Sequence, residues 1–231
     1  MKLRVTVIGI MGTLFMMSLA VSAESMTLKT QKEKVSYSLG SSMGRKLKQE
    51  AVDIDPDILA KGLKDAFSGA KSPLSDEEMQ TTLMTLQKEM AAKQAEKIKI
   101  LGEKNKKEGE AFLTENKKKE GVKTLASGLQ YKVLKEGTGK IPKPTDKVST
   151  HYQGTLIDGT EFDSSYKRGE PMTFPVKGVI PGWSEALQKM KVGSKWQLFL
   201  PAKLAYGERG APPFIGPNAV LIFTMELLAI Q

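Results

Sequence analysis

Cysteine is absent from the sequence, and histidine occurs once, at His151. Without cysteine the chain forms no disulfide, no thiolate metal site and no lipid-modified cysteine. The sequence also has no P-loop and no G-x-S-x-G nucleophile motif, and its carboxylates show no distinguishing spacing. Metal-dependent and Ser-His-Asp chemistry therefore lack the residues they need, and we predict neither a metal nor a cofactor. His151 falls in an alternating pattern beside Tyr152, which favours a structural role over that of a catalytic base.

Positive charge is in excess, with a formal net charge of +9, which by itself suggests nucleic acid or an anionic membrane as a partner. The first residues argue otherwise. Lys2 and Arg4 precede an apolar run from Val5 to Val21, which is followed by a small-residue cleavage pattern ending at Ala23. About 17 apolar residues are short for a membrane anchor. We therefore predict a signal peptide over residues 1–23, a periplasmic protein and no nucleic-acid partner, while an outer-membrane or cell-surface association stays open.

Residues 24–74 carry apolar side chains at steps of three and four, which predicts two short amphipathic helices. The break falls before Pro56, with Asp55 as N-cap, and Gly69 closes the second helix. We predict that this region is an all-α dimerisation domain. The apolar helices from Tyr37 to Met90 form a unit too small to bury a core of its own, so we expect a second copy to bury Met43, Met79, Leu83, Met84, Leu86 and Met90.

Residues 75–120 are predicted to form one long connecting helix, which Ser75 and Glu78 open as a capping box. Between Lys93 and Glu120 there are nine lysines and six glutamates, a composition typical of a solvated helix with charge pairs. Gly102 and Gly109 weaken such a helix. The pattern indicates a spacer rather than a core element.

Residues 121–231 change to alternating patterns that predict strands. Asp158-Gly159 is a hairpin signal, residues 195–200 and 219–229 give further strands, and residues 183–190 give the only convincing helix. The helix opens at Val179-Ile180-Pro181-Gly182-Trp183, where a lone tryptophan is by itself best interpreted as a core residue.

Several motifs occur in a fixed order over about 125–230. They are H-Y-x-G-x-L at 151–156, D-G-T-E-F-D-S-S at 158–165, V-I-P-G-W at 179–183, L-A-Y-G at 204–207 and G-P-N-A-V-L-I-F at 216–223. In this combination the segment resembles the FKBP-type peptidyl-prolyl isomerases. The helical region before it resembles the family's N-terminal dimerisation region, so the chain is similar to the macrophage infectivity potentiator group.

The resemblance implies an α+β fold in which the C-terminal antiparallel sheet wraps around the short helix, with a pocket between them. Trp183 would be the floor of this pocket, and Asp163 would be the carboxylate at its edge. The Ile180 N–H and the Tyr206 hydroxyl would donate to the substrate. Further residues expected at the pocket are Tyr152, Phe162, Met172, Phe174, Val179, Ile215 and Phe223.

Two departures from the family pattern affect the expected substrate preference. Met172 stands where the family often has an aromatic residue, and Ala211-Pro212-Pro213 alters the loop after Tyr206. Met172 can still fill apolar space.

The resemblance also implies the activity and partners. We expect a peptidyl-prolyl cis–trans isomerase that acts on proline-containing unfolded or partly folded polypeptides, forms a homodimer through its N-terminal helices and binds macrolide inhibitors of the FKBP class. The alternative is a dimer that acts chiefly as a chaperone, holding unfolded chains between its arms.

Overall fold

The structure, a computed structural model, describes residues 26–231. The predicted signal peptide, residues 1–23, lies outside the described residues. The chain divides into two compact units, the first ending at Ser72 and the second beginning at Pro73. Among residues 26–231, no helix combines the length and the apolar character needed to cross a membrane.

The first unit consists of the two predicted helices, α1 (Gln31–Gln49) and α2 (Pro56–Ser68). Helix α2 begins where the sequence predicts, because the Asp55 carboxylate accepts hydrogen bonds from the two N–H groups of its first turn and Pro56 occupies the first position. Gly69 ends the helix in the left-handed conformation, with a φ of 68°. Neither helix has a buried residue in the described chain, and the Phe67 side chain is 88% exposed.

The second unit begins with α3 (Asp76–Asn116), a helix of 41 residues that opens with the predicted Ser75–Glu78 capping box. It ends four residues before the predicted Glu120. Five residues on its C-terminal half face the rest of the unit at alternating steps of three and four, namely Gly102, Asn105, Gly109, Phe112 and Asn116. We call this set the α3 seam.

The α3 seam packs against the β-sheet and against the neighbouring loop of residues 217–220, so the expectation of a solvated spacer is wrong for this half of the helix. A Cβ atom on Gly109 would lie 2.6 Å from Val220 Cγ2, and the Phe112 and Phe199 rings lie 6.0 Å apart. The Asn116 side chain is buried and donates to Gln130 Oε1 at 3.0 Å. Composition hid this face because it is built from glycine and asparagine rather than from large apolar residues.

Seven strands of the described residues form one antiparallel sheet in the order β1-β2-β6-β7-β3-β4, and β5 also pairs with β3. Two short helices, α4 (Ser165–Arg168) and α5 (Pro181–Leu187), lie between strands. The strands are β1 (Val122–Thr124), β2 (Gln130–Lys135), β3 (Lys147–Leu156), β4 (Glu161–Ser164), β5 (Met172–Pro175), β6 (Lys195–Leu200) and β7 (Leu221–Ile230).

Helices α5 and α3 lie on opposite faces of the sheet. Leu198 and Leu200 of β6 belong to the same buried core as Trp183 and Leu187 of α5, whereas the intervening Phe199 contacts α3. This follows from the alternation of side chains along a strand. The predicted α+β fold, with a sheet packed around a short helix, is confirmed.

Candidate active site

Trp183 lies in the first turn of α5 at the centre of an aromatic cluster. Pro181 fixes the start of this helix, and the Trp183 side chain is only 4% exposed. The Trp183 ring centroid lies 4.9 Å from that of Tyr152, 5.0 Å from that of Phe223 and 5.6 Å from that of Phe174, each pair in an edge-on arrangement. Such pairs are favoured by the aromatic quadrupole and hold one another rigidly.

A cavity of about 550 Å³ opens above this cluster, a volume within the range of small-molecule and peptide sites. We call it the prolyl cavity, after the ligand expected from the sequence, and ten of the eleven residues predicted from the sequence line it. The residues that line it are Tyr152, Phe162, Asp163, Phe174, Gly178, Val179, Ile180, Trp183, Tyr206, Ala211, Phe214, Ile215 and Phe223.

Met172, the eleventh predicted residue, is not among the residues that line the cavity. It lies on β5 opposite Thr150 and packs, partly buried, against the core. Met172 and Phe174 share a face of β5. Two steps along the strand place them about 6.6 Å apart, so Met172 lies beyond the cavity.

Three lining residues were not predicted, namely Gly178, Ala211 and Phe214. Phe214 follows Ala211-Pro212-Pro213, and the sequence marked that segment as unusual without assigning it a role. The Phe214 side chain is 66% exposed, so neither burial nor periodicity points to it. Only its neighbour Ile215 carried a family expectation.

Asp163 at the cavity edge is joined to Tyr152 and Arg168. The Tyr152 hydroxyl donates to Asp163 Oδ2 at 2.6 Å, Arg168 Nη2 donates to the same hydroxyl at 2.8 Å, and Arg168 Nη1 donates to Asp163 Oδ1. The Arg168 guanidinium also lies 5.6 Å from the centre of the Tyr152 ring. Arg168 was not predicted from the sequence, although a partly buried carboxylate such as that of Asp163 commonly pairs with a cation.

These contacts perturb the two acidic groups in opposite directions. Burial, reinforced by the hydrogen bond to Asp163, raises the pKa of Tyr152 to about 12. Burial acts to raise the pKa of Asp163, but the hydrogen bonds from Tyr152 and Arg168 outweigh it and keep that pKa below its usual value. At neutral pH Tyr152 is therefore a neutral hydroxyl and Asp163 is an anion. The hydrogen bonds that join Tyr152, Asp163 and Arg168 hold the Tyr152 ring in place as one wall of the cavity.

The hydrogen-bond donors at the cavity that have no acceptor among residues 26–231 include the backbone N–H of Ile180, which precedes α5, the Tyr206 hydroxyl and the buried indole N–H of Trp183. Ile180 contributes its carbonyl to the helix instead, accepting from the N–H groups of Trp183 and Ser184 at 3.0 and 3.1 Å. An unpaired donor beside an apolar floor is a place where a ligand carbonyl can bind.

His151 lies outside the cavity. It alternates with Tyr152 on β3 and so faces the other side of the sheet. Its Nδ1 lies 2.9 Å from Ser165 Oγ, and its ring stacks on Tyr166 at 4.6 Å. Within the described residues, no group of three or more His, Cys, Asp or Glu side chains is placed to hold a metal ion.

A single antiparallel sheet packed on one short helix, with an aromatic cavity between them, defines the FKBP-type class. The family model for FKBP-type peptidyl-prolyl cis-trans isomerase matches residues 139–228, and the model for the domain amino terminal to FKBP-type peptidyl-prolyl isomerase matches residues 32–133. The chain belongs to the FKBP-type peptidyl-prolyl cis–trans isomerase family, and the resemblance drawn from its motifs is confirmed.

Similar proteins cover nearly the whole chain. The outer membrane protein MIP of Legionella longbeachae is 46% identical over 231 residues, which are 100% of this chain and 99% of that protein. The peptidyl-prolyl cis-trans isomerase Mip of Coxiella burnetii is 47% identical over 88% of this chain and 89% of its own length. The crystal structure of FkpA from Escherichia coli matches 89% of this chain and 99% of its own at 40% identity, with a TM-score of 0.69.

Proposed function

We propose that the prolyl cavity accelerates X–Pro isomerisation without covalent chemistry. The observation that carries this proposal is the pairing of a buried aromatic floor, Trp183, with two unpaired donors, the Ile180 N–H and the Tyr206 hydroxyl. No nucleophile is required, because the reaction breaks no bond. The barrier is the resonance of the amide C–N bond, about 18–20 kcal/mol.

The surroundings of the amide lower this barrier in two ways. An apolar cavity disfavours the charge-separated resonance form, which gives the C–N bond its partial double-bond character. Donors placed for the twisted amide bind the transition state more tightly than either planar isomer. In this arrangement the proline ring lies over Trp183, and the carbonyl before the proline accepts from Ile180 or Tyr206.

The test is the exchange rate between the cis and trans isomers of a short X–Pro peptide, measured by NMR with catalytic amounts of the protein. Phe162→Ala removes part of the cavity wall, and Asp163→Ala frees the Tyr152 ring. We expect each to lower kcat/KM by about tenfold, the equivalent of 1.4 kcal/mol. If the wild-type protein leaves the exchange rate of the peptide unchanged, the proposal is wrong.

The exposed apolar side chains of the first unit support the proposed homodimer. Tyr37, Leu39, Ile58, Leu63 and Phe67 are all exposed in the described chain. A small helical unit that leaves such side chains in water gains stability by covering them with a second copy. The dimer would bind proline-containing unfolded or partly folded polypeptides between its two isomerase domains.

A chaperone role is the second candidate function, and the same exposed side chains favour it. Met43, an exposed and flexible methionine of α1, can adapt to many unfolded clients. Residues 73–231 alone would then prevent aggregation of a test protein less well than the full chain does. If both prevent it equally, the first unit is not the chaperone surface.

Location and inhibition follow from the same reasoning. The signal-peptide pattern of residues 1–23 supports a periplasmic protein that acts on exported chains. Macrolide inhibitors of the FKBP class would occupy the prolyl cavity, with their carbonyl groups accepting from the donors proposed for the substrate.

A further inference from the structure

A second cavity of about 620 Å³ lies beside the prolyl cavity, between the middle of α3, the turn after β3 and the loop of residues 209–217. We call it the side groove. Phe214 and Ile215 line both cavities, so the two adjoin at this pair of residues. A chain that leaves the prolyl cavity across Phe214 enters the side groove directly.

The side groove is a built feature of the second unit. Asn105 of α3 donates its side-chain N–H to the Pro217 carbonyl at 2.8 Å, and the Asn218 side chain donates to the Gly102 carbonyl at 3.3 Å. Gly216 lies close enough to Leu101 that an added Cβ would be 3.1 Å from Leu101 Cδ2. The loop that closes the prolyl cavity is thus fixed to the helix that forms the far wall of the groove.

The lining indicates what the side groove can bind. Ile98 and Leu101 of α3 are 47% and 43% exposed, and Pro212 and Pro213 add further apolar surface. Partly exposed apolar side chains that converge on one concave surface are typical of a binding site.

The charges around the side groove cancel. Lys104 and Arg209 contribute two cations, and Glu108 and Asp158 contribute two carboxylates. Lys104 already lies 3.9 Å from Glu108. The groove therefore offers no net charge to a ligand and favours an apolar one.

We propose that the side groove binds apolar side chains of the same polypeptide whose proline occupies the prolyl cavity. This inference rests on the proposed function of that cavity. The two cavities adjoin at Phe214 and Ile215, so an extended chain, which advances about 3.3 Å per residue, brings side chains near the proline into the groove. The groove makes the protein prefer extended apolar substrates over short peptides.

The experiment compares two substrates of the full-length mature protein. One is a four-residue proline peptide, and the other carries the same four residues with apolar extensions on both sides. Ile98→Gln is the test variant, because Ile98 lies in the groove and away from the prolyl cavity. Ile100→Gln is the control, because Ile100 is 57% exposed on the same helix and does not line the groove.

We expect the extended peptide to have the lower KM with wild-type protein. Ile98→Gln should raise the KM for the extended peptide by about fivefold, since the loss of one partly buried isoleucine weakens binding by about that factor. The kcat for the extended peptide and both constants for the short peptide should stay unchanged. Ile100→Gln should behave as wild type with both peptides.

Several results would overturn the inference. Equal KM values for the two peptides with wild-type protein, or equal effects of Ile98→Gln and Ile100→Gln, show that the groove does not bind substrate. A change in molecular mass with Ile98→Gln, at unchanged KM, shows that a second copy of the chain occupies it. If neither peptide is isomerised faster with the protein present, the proposed function is wrong as well. If both are isomerised faster and to the same extent, only the proposal for the side groove is wrong.

Discussion

Gly154 controls how closely two aromatic rings of the prolyl cavity approach β3. A Cβ atom at this position would lie 2.6 Å from Phe162 Cζ and 2.7 Å from Phe223 Cε1, both too close for real contacts. The absence of a side chain at Gly154 therefore lets the edges of both rings pack directly against the strand.

We predict that Gly154→Ala pushes these rings into the cavity. Because both rings line the site, kcat/KM for a short proline peptide should fall by about tenfold, and the overpacking should cost about 1–3 kcal/mol of stability. Isomerisation kinetics and chemical unfolding measure the two effects. Gln153→Ala, on the opposite face of the same strand, is the control and should keep wild-type kinetics; an equal loss with both variants contradicts the role of Gly154.

The lowered pKa of Asp163 predicts a specific dependence of stability on pH. The Asp163 carboxylate binds protons less readily in the folded than in the unfolded chain, where its pKa is about 3.9. Its contribution is therefore complete above about pH 5 and is lost as the pH falls through the lower, folded-state value.

Asp163→Asn should remove this contribution while keeping the shape of the side chain. The difference in unfolding free energy between wild type and variant should shrink as the solution is acidified, and chemical unfolding at a series of pH values measures it. Glu170→Gln changes an exposed carboxylate and serves as control. A wild-type–variant difference that stays constant down to low pH contradicts the prediction.

At the scale of elements, the α3 seam shows that a highly charged helix can still pack closely. Lysines and glutamates occupy the outer face, while Gly102 and Gly109 let the helix axis approach residues 217–220, which lead into β7. Close approach also brings Asn105 and Asn116 within hydrogen-bonding distance of Pro217 and Gln130. In the second unit, the charged helix α3 thus packs together with the sheet, although the two segments differ in composition.

Alanine substitutions of two helical glycines should have opposite effects. Gly62→Ala, in α2, has nothing within 4 Å of the added methyl group and should stabilise the helix by up to about 1 kcal/mol. Gly109→Ala gains the same helix propensity, but its methyl group meets Val220, and overpacking of about 1–3 kcal/mol should leave it less stable than wild type. Chemical unfolding of both variants measures the difference; two stabilising substitutions would show that α3 does not pack closely here.

The sequence predicted those elements whose signals are local. Caps and turns, such as Asp55, Pro56 and the Ser75–Glu78 pair, gave correct helix starts, because the groups that satisfy a helix end lie within three residues. The α3 seam was missed because most of its partners are remote in the sequence, as shown by the hydrogen bond between Asn105 and Pro217, which are 112 residues apart. Most of the cavity was predicted from the order of motifs, whereas Arg168 and Phe214 depend on how α4 and the loop fold.

At the scale of the whole molecule, the boundary at Ser72–Pro73 gives a natural point of truncation. A chain that begins at Pro73 keeps α3 on the sheet, whereas one that begins at Gly121 uncovers the buried side chain of Gln130. The first of these is therefore the better test of what the N-terminal helices contribute.

We predict that residues 73–231 form a monomer and that the mature chain forms a dimer, because the exposed apolar side chains of α1 and α2 that support the proposed dimer lie in the first unit. Light scattering measures both masses. The truncated chain should isomerise a short proline peptide at the same rate per cavity, which also controls for its folding. A dimer of residues 73–231 would show that the contact lies elsewhere.

The position of β7 in the sheet bears on how the nascent chain reaches its fold. This strand pairs with β6 on one side and with β3 on the other, yet it follows both in the sequence. Until residues 221–230 have been synthesised, β3 and β6 each present an open edge, the kind of surface at which β-proteins aggregate. Folding of this unit is therefore dominated by contacts of long sequence separation and should be slow, with the docking of β7 as its late step. During its own synthesis the chain thus passes through an exposed state like that of the unfolded or partly folded chains proposed as its substrates.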